Sequence, residues 1–292
     1  MRQFSLGMRK FSQLLGKCEI SFQIFSNIFL ICGNDSPKMR NSPYIAAMDS
    51  PQTSTIVDRV LHVLAGVARA GKPVSAKQIA AMVQQPVSTV YRHLASLKKW
   101  GLLQEHMNSG TFEPGPTGVQ LAWGFDQNSN LVSQSREEIS SLVQRSGESV
   151  GLLVAINGQM VCIAMEESDQ PLRCSFTKGR AHPLLKGASA KSLLAFMPRK
   201  LQQKLLTDQL GDKPEELAAL ETQLEEIRRR GYCISESEVD LGVWGVSVPI
   251  MTSNGRLEGT ITLMAPALRV GNREQELVRM TLESAQRICN RF

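Results

Sequence analysis

Ser75-Ala76-Lys77-Gln78-Ile79-Ala80-Ala81-Met82-Val83-Gln84-Gln85-Pro86-Val87-Ser88-Thr89-Val90-Tyr91-Arg92-His93-Leu94-Ala95-Ser96-Leu97 holds two short helical patterns separated by a tight turn. Ser75 and Gln78 have the S-x-x-Q spacing in which a hydroxyl and a side-chain amide satisfy orphan backbone donors reciprocally, which places a helix start at Ala76. Ile79, Ala80, Met82 and Val83 give that helix one apolar face. Gln84-Gln85 breaks the pattern, and Pro86, with its fixed φ, suits the first position of a second helix. In the second helix Val90, Leu94 and Leu97 fall at i, i+4 and i+7 and face the core. Ser88, Thr89, Tyr91, Arg92, His93 and Ser96 are then expected to face outward.

Gly101 closes this helix, and Leu102 to His106 and Thr111 to Glu113 flank Met107-Asn108-Ser109-Gly110 as two short strands around a turn. Upstream, Thr55 to Ala70 supplies a supporting helix with Ile56, Val60, Leu64 and Val67 along one side. Three helices and a hairpin wing in this order make a winged helix-turn-helix. Its outward hydroxyls suit phosphate or base contacts, Arg92 a guanine edge or a phosphate, and Tyr91 a thymine methyl, with the helix in a major groove. Double-stranded DNA is the expected partner.

The charge is distributed accordingly. The 33 Lys+Arg and 27 Asp+Glu leave a net +6, and the excess sits towards the N-terminus. Residues 1–47 hold six basic and two acidic residues, residues 48–124 seven and four, and residues 125–292 twenty and twenty-one. A modestly basic segment around the helix-turn-helix fits phosphate binding. Residues 1–47 differ from the rest in composition. Their apolar run, Ile20 to Cys32, is interrupted by Ser21, Gln23, Ser26 and Asn27 and is shorter than the roughly 20 apolar residues of a membrane span. We read them as an extension, disordered or upstream of a true start at Met48, and expect a cytoplasmic protein with no membrane partner. The six cysteines, Cys18, Cys32, Cys162, Cys174, Cys233 and Cys289, form no CxxC pair and no metal-ligand spacing, so reduced thiols, no metal and no cofactor are expected.

Residues 117 to 146 are again helical, with Leu121, Leu131, Ile139 and Leu142 as apolar points and a break at Gln127-Asn128-Ser129-Asn130. The period then changes. Val150 to Ile156, the turn Asn157-Gly158 and Gln159 to Met165 form a hairpin with a type I′ signature. A third strand is expected at Leu172 to Thr177, helices at Ser189 to Met197, Arg199 to Leu210 and Pro214 to Arg230, strands at Val243 to Met251 and Leu257 to Met264, and a closing helix at Arg273 to Arg291. Strands early and late with helices between make an α+β unit. The domain reading is residues 48–115 for DNA binding, 116–146 for a linker and 147–292 for a C-terminal α+β domain.

Several segments together resemble the IclR (isocitrate lyase regulator) family of bacterial transcription factors over roughly residues 54–290. Pro86 to Leu94 is similar to the family's recognition helix. Gly179-Arg180-Ala181-His182-Pro183-Leu184 and Ala188-Ser189-Ala190-Lys191-Ser192-Leu193-Leu194-Ala195 resemble its effector-loop motif. Gly231-Tyr232, Glu238, Gly242 with Pro249, and Ala265-Pro266 resemble its later signatures. The resemblance implies a winged-helix domain, a linker helix and a GAF-like sensor domain, assembled as a homodimer or a tetramer built from dimers. It implies a regulator, read here as a repressor of a carbon-catabolism operon, controlled by a small organic acid effector. Matching the family's pocket residue by residue gives Cys174, His182, Ala188, Ser189, Ser235, Val243, Gly245, Thr262 and Met264. Ala190 replaces the glycine usual before the lysine, Gln85 a usual leucine, and Gly245 and Met264 place no polar group where other members carry one.

The residues themselves leave alternatives. Backbone amides at the start of the Ser189 helix suit an anion, aided by Ser189, Thr262 and His182. Ser189 is equally readable as an N-cap and His182 as a surface loop residue. Trp244 is either core or pocket wall, and Arg228-Arg229-Arg230 either the basic end of a helix or a second DNA contact. An enzyme using Ser189 or Cys174 with His182 lacks any G-x-S-x-G context, so no catalytic residue is assigned. A constitutive DNA-binding or scaffold protein is the other alternative.

Overall fold

Thr55 and Ser75 open the first two helices as reciprocal caps. Ser75 Oγ accepts from Gln78 N at 3.3 Å while Gln78 Oε1 accepts from Ser75 N at 2.8 Å, and Thr55 and Asp58 repeat the arrangement. The computed structural model describes residues 55–292, so the readings of residues 1–47 lie outside the described residues. The N-terminal unit comprises α1 (Ile56–Ala70), β1 (Val74–Ser75), α2 (Ala76–Val83), α3 (Val87–Lys99), β2 (Leu103–Glu105) and β3 (Thr111–Pro114). Pro86 is the N-cap of α3, one position earlier than expected. Gln84 takes a left-handed conformation (φ 53°) to turn α2 into α3. The three strands form one antiparallel sheet in the order β1-β3-β2. A Cβ on Gly115 would lie 2.3 Å from the Gly101 carbonyl oxygen, so only glycine lets the wing's base close onto the end of α3.

The core of this unit is built by Val63, Val67, Ile79, Val83, Val90, Leu94, Leu97 and Phe112. Three expectations are corrected. Ile56 at the mouth of α1 is exposed, and Val63 and Gly66 take its place beside Val67. Met82 is 46% exposed and belongs to the solvent side of α2. His93 is 8% exposed and turns inward, because three residues after Val90 and one before Leu94 it stays on the buried arc of a helix of about 3.6 residues per turn. Burial first, then the neighbouring Arg92 and Arg59, hold the His93 imidazole below its ordinary pKa.

Two linker helices follow, α4 (Thr117–Asn128) and α5 (Asn130–Ser146), and the expected break is the Ser129 cap between them, whose hydroxyl accepts from Val132 N. No residue of α4 is buried, and Leu121, expected as an apolar packing point, is 62% exposed. The C-terminal unit then runs β4 (Ser149–Ile156), β5 (Gln159–Glu166), β6 (Ala181–Pro183), α6 (Ala188–Phe196), α7 (Arg199–Leu210), α8 (Pro214–Arg230), β7 (Cys233–Glu236), β8 (Val243–Met251), β9 (Leu257–Pro266), the short α9 (Ala267–Val270) and α10 (Glu274–Cys289). Asn157 (φ 50°) and Gly158 (φ 73°) make the type I′ turn between β4 and β5.

The six strands form an antiparallel sheet in the order β6-β5-β4-β9-β8-β7. Because side chains alternate along each strand, the sheet separates two cores. Trp244, Val246, Val248, Ile250, Ile261, Leu263 and Ala265 face α5 and α10. The opposite residues face α6, α7 and α8, among them Leu153, Ala155, Met160 and Leu257. The architecture is thus the expected α+β class, with helices on both faces of the sheet.

Two elements differ from expectation. Leu172 to Thr177 is not a strand. Its Leu172 carbonyl accepts from Arg269 Nη1 at 2.6 Å, and Arg173 pairs with Glu167 at 2.5 Å, so the segment is folded back as a loop instead of joining the ladder. The edge strand is β6, which pairs Met160 with His182. The four-residue β7 was also not expected; β6 and β7 are too short for alternation to register.

Four free cysteines lie among the described residues. Burial raises the Cys162 thiol to about 11 and Cys233 to about 12, and raises Cys289 and the half-buried Cys174 in the same direction. A raised pKa lowers the thiolate fraction at neutral pH, and the thiolate is the reactive form. Peptide mass mapping after brief exposure of the native protein to a maleimide at pH 7.5 should find Cys174 labelled well before Cys162 and Cys233, which should react only after unfolding. Native labelling of Cys162 at the Cys174 rate would contradict this core.

Candidate functional site

Two regions collect the side chains singled out above. The first is the outer face of α3. Ser88, Tyr91, Arg92 and Ser96 are exposed there and Thr89 is half-buried, while His93 leaves the set. Ser96 Oγ is turned back onto the Arg92 carbonyl at 3.3 Å. Arg92 has no ion-pair partner among the described residues, and Tyr91 is 56% exposed. The wing beside this face is held by Ser109 and Thr111, whose hydroxyls lie 2.7 Å apart, and by His106 Nε2 against Glu113 at 2.9 Å. Those contacts set a stiff turn, with Met107 fully outward at its tip.

The second region is a cavity of about 570 Å³ between the sheet, the start of α6 and the loops around residues 172–180 and 238–242. Cys174, His182, Ala188, Ser189, Ser235, Val243, Gly245, Thr262 and Met264 all line it. Register explains the convergence. Ser235, Gly245 and Met264 are consecutive cross-strand partners on β7, β8 and β9, and Val243 stands one inward position earlier on β8. Gly151 and Ser247 flank Thr262 on the next inward rung. Gly245 opens space at the centre of this surface, since a Cβ there would meet nothing closer than the Leu263 carbonyl oxygen at 3.5 Å.

Below the cavity three buried hydroxyls form a closed ring. Ser189 Oγ lies 3.0 Å from Thr262 Oγ1, Ser247 Oγ lies 2.7 Å from Thr262 Oγ1, and Ser247 donates to Ser189 at 3.4 Å. Each hydroxyl is thereby satisfied without a charge. Ser189 is not an N-cap; Gly187 holds that position with φ 87°. At the start of α6, Gly187 N donates to Glu238 Oε2 at 3.0 Å and Ala188 N donates to Ser235 Oγ at 2.8 Å, so two of the donors there have protein partners. Lys191 Nζ completes the clamp on Glu238 at 2.8 Å.

His182 is half-buried, edge-on to Phe176 with ring centroids 5.5 Å apart, and its Nε2 is buried without a hydrogen-bond partner. Burial and then Arg180 lower its pKa, with Asp240 opposing, which keeps the imidazole neutral at neutral pH. Trp244 is core, 1% exposed on the other face of the sheet. Arg228 caps the end of α6 through the Ala195 carbonyl and holds Gln202 Oε1 at 2.8 Å, while Arg229 pairs with Glu226; the arginine run serves packing and the helix end.

Sequence reasoning missed Ser247, whose i+2 and i+4 relation to Gly245 and Val243 on β8 places it on the same face. It also missed the wall residues Met160, Phe176, Leu172, Leu241 and Leu268, which carry no motif. The wall is tied to the linker at one point and to the residue just beyond it at another. Lys178 Nζ pairs with both carboxylate oxygens of Asp126 on α4, at 2.7 and 2.6 Å. Arg269 holds the Leu172 carbonyl and the buried Glu148 just beyond α5, at 2.6 and 2.5 Å.

Comparison with known proteins decides what this pairing is. Residues 126–290 match the family model for the bacterial transcriptional regulator IclR C-terminal domain, and residues 56–106 match the IclR helix-turn-helix domain. The chain belongs to the IclR family. It is 25% identical to the HTH-type transcriptional regulator BhcR of Paracoccus denitrificans over 224 residues, 74% of this chain and 79% of that protein. It is 23% identical to the regulator KdgR of Dickeya chrysanthemi over 259 residues, 85% of this chain and 83% of that protein. An IclR family regulator from Brucella abortus superposes with a TM-score of 0.71 over 87% of this chain and 99% of that chain, at 20% identity, which speaks for the fold alone. The C-terminal domain of a Vibrio cholerae regulator is 36% identical over 56% of this chain and 99% of that domain, with a TM-score of 0.52. This IclR protein is therefore a transcriptional regulator with a DNA-binding helix-turn-helix, and its named relatives are transcriptional regulators. Among the described residues no helix is long and apolar enough to cross a membrane, and no group of three or more His, Cys, Asp or Glu is placed to hold a metal.

Proposed function

We propose that this protein is a ligand-controlled repressor of a carbon-catabolism operon, with residues 48–115 binding operator DNA, 116–146 linking, and 147–292 sensing a small organic acid. The observation that carries the reading is the cavity whose wall is tied to the linker helix α4 through Lys178–Asp126, while Arg269–Glu148 pins the wall just beyond the end of α5. A ligand that prefers one arrangement of that wall biases the linker, and through it α3, by its differential affinity for the two arrangements and no more. Ser88, Thr89, Tyr91, Arg92 and Ser96 are the side chains that meet DNA. The repressor sign and the catabolic setting rest on the family resemblance.

A second copy of the chain is part of the proposal. α4 has no buried residue, yet Val119, Leu121 and Trp123 on it and Ile56, Val57 and Leu61 on α1 are all more than half exposed. An isolated helix of this length is marginal in water, so packing must supply its stability. A homodimer, alone or paired into a tetramer, covers these side chains and presents two α3 helices to one operator.

Gly245→Val tests the sensing role with little disturbance to the strand, given the open space above Gly245. Operator binding of the variant should stay within about twofold of the parent, whereas the shift produced by an active sugar acid or keto acid in a footprinting panel should disappear. A normal ligand response in the variant would place the sensor elsewhere. Specific operator binding that no acid alters in the parent would favour a constitutive binder.

A further inference from the structure

Among the described residues of the N-terminal unit, His93 is the one polar side chain that is buried. It stands on α3 between the exposed Arg92 and the core residue Leu94, and its Nε2 is enclosed with no hydrogen-bond partner among the described residues. An apolar side chain would fill this place without leaving an unsatisfied nitrogen. What the imidazole adds is a protonation state that changes close to neutral pH.

The surroundings accept it only as the neutral ring. α1, α2 and β2 pack against α3. α1 brings Asp58, Arg59, His62 and Arg69, α2 brings Lys77, β2 brings Glu105, and α3 itself carries Tyr91, Arg92, Lys98 and Lys99. Both carboxylates are committed elsewhere, Asp58 to the Thr55 backbone N at 2.8 Å and Glu105 to Lys98. The charges that act on His93 are Arg92 beside it and Arg59 on α1, both positive. An imidazolium here would be a third cation, shut away from water and given no counter-charge. The same contact holds a second unpaired atom. Gln85, in the turn between α2 and α3, donates from Nε2 to the Arg59 carbonyl at 3.3 Å, while its Oε1 is buried without a partner among the described residues. Each such unsatisfied atom costs about 1–3 kcal/mol, so the seat of α3 on α1 has little reserve against an added charge.

We propose that His93 is a proton-responsive positioning residue of the DNA-binding domain: neutral, it lets α3 seat on α1 in the orientation that reads the operator; protonated, it drives α3 off that seat, so acidification releases DNA. This rests on α3 being the helix that reads the operator. Linkage fixes the direction. The folded imidazole takes up its proton less readily than the ring in an unfolded chain, so its share of stability is fully present above about pH 6.5 and is lost as pH falls below that value towards the folded midpoint. Operator binding falls once pH passes below the folded midpoint itself, where the seated form must give way to take the proton. An exposed histidine beside phosphate gives the opposite result, since the charge it gains on acidification strengthens binding.

Two measurements on the full chain test this. Nuclear magnetic resonance with 13C-labelled histidine observes four imidazoles, and the signal missing from His93→Gln assigns His93. Its midpoint should lie below 6.5. Fluorescence anisotropy with the protein's own upstream DNA, at one ionic strength, should then show an affinity that is constant above that midpoint and falls by about tenfold per pH unit below it for each α3 engaged. His93→Gln and His93→Leu cannot take up the proton, so both should lose this fall while binding at pH 7.5 within about threefold of the parent. A merely structural role for His93 would move affinity at every pH and leave its pH profile unchanged. A His93 midpoint at or above 6.5, tighter operator binding by the parent on acidification, or a fall that persists in a folded His93→Gln or His93→Leu would overturn the inference. Any of these alongside weakened binding by Arg92→Ala removes the inference alone. Unchanged affinity in Arg92→Ala removes α3 as the reading helix and the inference with it.

Discussion

Arg92→Ala is expected to lower specific operator affinity by roughly fivefold to 150-fold per recognition helix, the equivalent of about 1–3 kcal/mol, without changing the fold. The side chain is exposed on α3 and makes no ion pair among the described residues, so its removal leaves no buried partner behind. The buried line of Val90, His93, Leu94 and Leu97 that fixes the helix on the domain is untouched. Fluorescence anisotropy with the protein's own upstream DNA, at one fixed salt concentration, gives the affinity, and circular dichroism reports the fold. If the loss is uniform across operator variants and the salt slope becomes shallower, Arg92 contacts phosphate. If discrimination at one base pair is lost, it reads a base edge. An unchanged affinity would remove α3 from the DNA interface.

Trp244→Ala should cost the C-terminal unit about 3–5 kcal/mol, a large fraction of the roughly 5–15 kcal/mol that holds a domain together. Trp244 is 1% exposed, and it pairs with Ala265 on β9 while facing the core formed with α5 and α10. Alanine would leave a cavity there that a sheet backed by helices cannot collapse to fill. Trp244→Phe should be far milder. The indole Nε1 is buried without a hydrogen-bond partner, and removing an unsatisfied donor offsets part of the lost volume. Denaturant unfolding followed by circular dichroism measures both. A loss below about 1 kcal/mol for alanine would contradict the packing described. Trp100 and Trp123 are exposed in the single chain, so either substitution should remove the blue-shifted emission that the buried Trp244 contributes.

What could be read in advance, and what could not, follows from the range of the forces involved. Ser75 and Gln78 act over three residues, so the start of α2 was legible from the chain alone, as were the bounds of α7 and α8. Asn157-Gly158 set the first hairpin of the large sheet by local backbone preference. His93 was misplaced because a polar side chain on the flank of a buried arc can turn either way, and only the packing of α1 against α3 decides it. The Leu172 to Thr177 loop was misread as a strand because the group that prevents pairing, the Arg269 guanidinium, lies nearly a hundred residues away. The nine cavity residues came from motif resemblance, and the cross-strand rungs show why residues so far apart in sequence meet. Ser247 and Glu238's clamp on α6 carry functional meaning only through contacts at long sequence separation, which no periodicity reports.

The clamp on α6 and the Arg269 pin have a consequence for how quickly such a regulator answers its signal. Both hold the cavity open before anything enters it, so an arriving molecule spends little of its binding free energy on ordering the chain. The bonds that must yield for the linker to move are different ones. Lys178 and Asp126 are a solvent-exposed pair, and such pairs contribute no more than about 1 kcal/mol. In the sensor proposed above, a rigid receptor joined to its output by a weak, renewable tie responds in proportion to occupancy and relaxes once the molecule leaves.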